Sequence, residues 1–109
     1  MYNVQLSPAR LLWDQAENIN DENPYNVVRG GFLKEPVDFL TDVGARKLFK
    51  QKLRYIVARW GYITNLFSWE WWNEVKLTDG LGDLALLTPW LREMNLYLGE
   101  IDPHRHLIS

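Results

Sequence analysis

Apolar and polar positions alternate at the start of the chain, where Tyr2 to Leu6 read YNVQL, the period of a short half-buried strand. From Ser7 to Pro36 the pattern breaks into Pro, Gly, Asn and Asp at loop density. A loop of that length inside a compact domain is usually a functional cover, which draws attention to NPYNVVRGG, Asn23 to Gly31. Thr41 and Asp42 then offer caps for a helix that puts Ala45, Phe49, Leu53, Ile56, Val57 and Trp60 on one face and stops at Gly61. After Asn65, Leu66 to Trp72 is almost continuously apolar, as expected of a strand covered on both faces. Thr78 to Asp83 reads as a loop. Thr88 and Pro89 read as the cap and first residue of a second helix. Its stripe runs through Trp90, Leu91, Met94, Tyr97, Leu98 and Ile101, Asp102-Pro103 ends it, and HLIS begins a further strand.

Strand, helix, strand, helix, strand is the order of right-handed parallel units with helices packed outside the sheet. The fold class is therefore α/β, a parallel βαβαβ segment that is either doubly wound or part of a barrel. The 109 residues form one unit. A strand opening in the last four residues marks residues 1–109 as an incomplete piece of something larger.

Composition narrows the classes of partner. The formal charge of -2 provides no field to gather nucleic acid or an acidic membrane. Half of the basic residues lie between Arg46 and Arg59. Arg46, Lys47, Lys50 and Arg54 fall opposite the apolar stripe, where a solvated surface is expected. The chain lacks cysteine, hence any disulfide framework, thiolate metal site or cysteine nucleophile. The first fifteen residues lack the features of a signal peptide, and any leader would lie upstream of Met1, so localisation stays open. No cofactor is implied. Asp102, His104 and His106 carry metal-ligand atoms, but they sit at a helix-to-strand turn remote from the other candidate chemistry, and no metal is expected there.

That chemistry lies in SWEWWNEV, Ser68 to Val75, where three of the six tryptophans stand beside two carboxylates and an asparagine. An unpaired buried charge loses several kcal/mol of hydration, so Glu70 and Glu74 each need a partner, a proton or a function. Period two places Glu70, Trp72 and Glu74 on one face and Trp69, Trp71 and Asn73 on the other. Glu74 falls at the C-terminal end of the strand, where parallel α/β folds gather their active sites. A carboxyl group among indoles suits glycoside hydrolysis, since aromatic faces stack on sugar rings and the acid protonates the departing oxygen. Glu70, about 13 Å down the strand, is too far away to be the second carboxylate. It reads instead as a buried structural acid paired with an arginine.

NLFSWEWWNEV resembles the fourth barrel strand of clan A glycoside hydrolases, the cellulase-like (β/α)8 families that include family 5. NPYNVVRGG, ARKLFKQKLRYIVARWGY and YLGEIDPHRHLIS resemble the third loop, the third helix, and the fourth helix with the fifth strand of the same proteins. The resemblance covers most of the chain from about Asn23 onward, and it implies a partial (β/α)8 TIM barrel. It implies a retaining hydrolase of β-linked polysaccharide or oligosaccharide, with Glu74 as general acid/base and Asn73 bound to the sugar 2-hydroxyl. The nucleophile, a glutamate ending the seventh strand of that family, would lie outside these residues. Trp71 and Trp72 are candidate sugar platforms, and Trp13, Tyr25 and Asn26 candidate cleft-lining residues. Open sheet edges would invite self-association. The other reading is a non-catalytic carbohydrate-binding or assembly module that uses the same aromatics.

Overall fold

The computed structural model describes residues 2–6, 25, 27, 30–72 and 82–109, with the side chains of residues 2–5 left aside. Strand β1 is Tyr2–Gln5, helix α1 Asp38–Thr41, helix α2 Val43–Trp60, strand β2 Leu66–Glu70, helix α3 Leu84–Ile101 and strand β3 Leu107–Ile108. The strands form one parallel sheet in the order β1-β2-β3. Consecutive strands are thus neighbours, and β2 is central. β1 pairs Val4 with Trp69 and Gln5 with Glu70, while β3 pairs Leu107 with Ser68 and Ile108 with Trp69. This is the α/β arrangement expected from the hydrophobic pattern.

Helix α2 starts where the Asp42 carboxylate accepts from the Ala45 N–H at 2.8 Å, satisfying an orphan donor of the first turn. It ends at Gly61, whose N–H donates to the Val57 carbonyl; a Cβ there would come within 2.6 Å of that oxygen, so only glycine fits. Ala45, Phe49, Leu53 and Val57 are buried as the stripe requires, whereas Trp60 at its end is exposed. The opposite face is not simply solvated. Arg46 and Lys50 meet Glu93 of α3 at 3.0 and 2.8 Å, and Arg46 Nε also donates to the Leu40 carbonyl, because α3 packs alongside that flank. Lys47 and Arg54 do remain exposed.

Three further expectations need correction. Helix α3 begins at Leu84, one turn before Thr88, because Asp83 is the effective cap: its carboxylate accepts from the Ala85 N–H at 2.9 Å. Pro89 therefore lies inside the helix, near enough to its start that the turn before it still carries the buried Leu87. Strand β2 ends at Glu70, two residues short of Trp72, although main-chain pairing continues one residue further, with the Trp71 N–H on the Ser109 carbonyl at 2.9 Å. Glu70 is half-buried rather than buried; no arginine among the described residues pairs with it, and Arg10 and Arg29 lie outside them. A short helix that the pattern did not predict, α1, buries Phe39 and Leu40 completely.

The core lies between the sheet and the two long helices, where Trp69, Trp90, Phe39 and Phe49 are fully buried. Burying such a ring contributes about 1.5–3 kcal/mol. Among the described residues no helix is long and apolar enough to cross a membrane.

Candidate active site

The C-terminal end of β2 is held from both sides. The Leu6 N–H donates to the Glu70 carbonyl at 2.7 Å and the Ser109 N–H to the Trp69 carbonyl at 2.9 Å, so the central strand is fixed up to Trp71. Trp71 is only 5% exposed. Its indole N–H donates to Asn95 Oδ1 of α3 at 2.7 Å, and its ring lies 5.6 Å from Trp90 and 6.2 Å from Phe49. A ring enclosed in this way is core, which leaves little of its face for a sugar. Trp72, just past the strand, is half-buried; its ring rests 5.0 Å from Trp90 and stands edge-on to Phe39 at 6.3 Å.

Tyr25 reaches the same cluster from the loop that precedes α1. Its carbonyl accepts from the Phe32 and Leu33 N–H groups at 3.1 and 2.8 Å, while the positive φ of Gly30 lets the chain double back between them. The Tyr25 ring is edge-on to Phe39 at 5.2 Å. Burial pushes its phenol pKa above the usual value. Of the seven residues expected in the site, Tyr25, Trp71 and Trp72 are brought together around Phe39 and Trp90. Trp13, Asn26, Asn73 and Glu74 lie outside the described residues.

Residues missed in the sequence support this arrangement. Phe39 contacts Tyr25, Phe49, Trp72 and Trp90 at once, yet it sits in a four-residue helix too short for periodicity to reveal. Asn95 is a polar position flanking the apolar stripe of α3, and nothing in its spacing pointed to Trp71.

At the other end of the unit, Asp102 caps α3 and is 3% exposed. Its carboxylate receives the Trp69 indole N–H at 2.9 Å, the His106 N–H at 2.9 Å, His106 Nδ1 at 2.8 Å and the His104 N–H at 3.1 Å. Burial acts to raise its pKa, but the hydrogen bonds from Trp69, His106 and His104 outweigh burial and hold the carboxyl below its usual range. Asp102, His104 and His106 are thus joined in a capping turn, with both carboxylate oxygens engaged by protein donors.

With this geometry in view, comparison with known proteins gives the chain a direction. Its sequence similarity lies with glycoside hydrolases. It is 30% identical over 85 residues to mannan endo-1,4-beta-mannosidase 1 of Arabidopsis thaliana, a match covering 71% of this chain and 20% of that protein. It is 28% identical over 95 residues to the protein named "probable mannan endo-1,4-beta-mannosidase C" of Aspergillus terreus, covering 78% of this chain and 23% of the relative. The chain thus spans about a fifth of the length of these curated relatives. No protein-family model matches it, and no solved structure matches it significantly.

Proposed function

We propose that this chain is a segment of the catalytic (β/α)8 barrel of a retaining glycosidase that acts on a β-linked polysaccharide of the mannan type. The observation that carries the reading is the packing of Trp71, Trp72, Phe39 and Trp90 at the C-terminal end of the central parallel strand, the end from which the sequence runs on into Asn73 and Glu74. Parallel α/β folds place their chemistry at that end. The similarity to two mannanases across about three quarters of the chain supports the same reading.

Glu74 acts as the general acid, then the general base, and Asn73 holds the sugar 2-hydroxyl, an interaction that strengthens as the oxocarbenium-like transition state forms. To donate a proton near neutral pH, Glu74 needs its pKa raised, by apolar surroundings or by the charge of the nucleophile. Trp72 and Tyr25, half-buried against Phe39, offer faces on which a sugar ring can stack; Trp13 and Asn26, outside the described residues, are the further candidates for lining the cleft. The nucleophile comes from another part of the barrel, so residues 1–109 alone have no turnover, and their sheet edges at β1 and β3 favour self-association.

The test is Glu74→Gln in the product of the full reading frame. Hydrolysis of β-1,4-mannan should be abolished while oligosaccharide binding persists. An unchanged kcat overturns the acid/base role, as would robust turnover by the 109-residue chain itself.

A further inference from the structure

A second cleft, of about 340 Å³, opens between the C-terminal ends of α2 and α3. Its lining residues Gly61, Tyr62 and His104 come just before β2 and β3 in the chain, which puts it by the N-terminal end of the parallel sheet. Arg54, Tyr62 and His104 line it, and Val57, Ile101 and Pro103 supply apolar surface. Among the described residues, the Arg54 guanidinium, the Tyr62 hydroxyl and the His104 ring nitrogens make no hydrogen bond or ion pair. Tyr62 is 70% exposed.

The donors would suit an anion, but both long helices end here, and the negative ends of their dipoles oppose one. The main-chain bonds closing α2 engage the Val57 and Trp60 carbonyls, so among the described residues the Ala58 and Arg59 carbonyls of its last turn take no main-chain donor. Hydroxyl groups both donate and accept, and a pyranose adds a C–H face that stacks on an exposed phenol ring. A neutral sugar therefore matches the site better than a phosphate or carboxylate does.

We propose that this cleft is a second carbohydrate site, holding one pyranose ring of a polysaccharide chain away from the reacting bond. Tyr62 stacks on the ring, and Arg54 and His104 donate to its hydroxyls. The inference rests on the glycosidase reading for its ligand class, but the two can fail separately.

The test titrates β-1,4-linked mannotetraose into the product of the full reading frame, held inactive by Glu74→Gln, and follows amide and side-chain NMR shifts. Saturable shifts at Arg54, Tyr62 and His104 are expected, and Tyr62→Ala or Arg54→Ala should weaken them at least about tenfold. Trp72→Ala should leave them unchanged. Shift mapping on the Glu74→Gln protein alone decides the matter even if a further variant fails to fold. Binding lost only in Trp72→Ala overturns the second site and leaves the glycosidase reading standing. Shifts at these residues with inorganic phosphate but not with the sugar overturn it as well, as does the absence of any shift there. The glycosidase reading is judged independently, by turnover of the full-length Glu74→Gln variant.

Discussion

Trp69 in β2 and Trp71 one residue past its end are both buried, and their indole N–H groups donate to Asp102, the cap of α3, and to Asn95 within α3. Their acceptors differ in kind. Trp71 meets the neutral amide of Asn95, an otherwise exposed residue of mid-helix, whereas Trp69 meets the Asp102 carboxylate, buried at the helix end. A carboxylate buried among three other donors is an organising centre, since Asp102 ties β2, the end of α3 and the start of β3 together. Asn95 fixes only the orientation of one ring. The contrast separates an end of the sheet held by polar bonds from an end held by aromatic packing, and the proposed chemistry belongs to the second.

The largest effect is expected from Asp102→Ala. It leaves the indole of Trp69 and the donors of His104 and His106 without their acceptor, and each buried donor stranded costs about 1–3 kcal/mol. Urea denaturation of the chain should show a loss of about 3 kcal/mol or more, or failure to fold; a loss below about 1 kcal/mol would remove Asp102 from its place in the comparison. The same carboxylate sets a pH dependence. Its pKa is lower in the folded chain than in the unfolded one, so its stabilisation is fully present above the unfolded value of about 3.9 and is lost as pH falls through the folded value. Asp102→Asn should make the acid limb of stability below about pH 4 shallower by one proton's worth, while leaving its shape near neutrality unchanged. An identical acid limb would show that the four bonds do not favour the charged form.

This difference between the two ends was only partly legible in the sequence. Helix α2, capped by Asp42 and ended by Gly61, was readable because each signal is local and agrees with the stripe between them. Asp102-Pro103 was readable as a stop, but not as a hub, since the partners of Asp102 include Trp69, which lies 33 residues away. The start of α3 is ambiguous in the sequence because two cap signals compete, and Asp83, with apolar Leu84 and Leu87 behind it, outweighs Thr88 with Pro89. The end of β2 was overrun because a continuous apolar series looks alike in a strand and in the aromatic cluster beyond it. Periodicity within α2 assigns Arg46 and Lys50 to the solvent face and does not reveal their partner Glu93, which sits on another helix.

Replacing single indoles by phenyl rings ranks the two ends directly, because each change removes similar volume and differs in the bond lost. Trp69→Phe deprives a buried carboxylate of a donor and should cost about 2–3 kcal/mol, hydrogen bonds to charged groups being the stronger kind. Trp71→Phe breaks a bond to a neutral amide that water can reach on the Asn95 side, and about 1–2 kcal/mol is expected. Asn95→Ala should reproduce most of that loss, since it strands the same buried N–H.

Trp90 supplies the reference for this series. It is fully buried among Phe39, Phe49, Trp71 and Trp72, and its indole N–H has no hydrogen-bond partner among the described residues. Trp90→Phe therefore gives up packing but no hydrogen bond, and it relieves a buried donor that has no acceptor. The two terms oppose each other, and the net change should be the smallest of the set, about 1 kcal/mol or less. Thermal unfolding of the three Trp→Phe chains should thus rank Trp69 above Trp71 above Trp90. A loss at Trp90 as large as that at Trp71 would mean that ring volume, not the acceptor, decides the cost, and the distinction between the polar and the aromatic end of β2 would collapse.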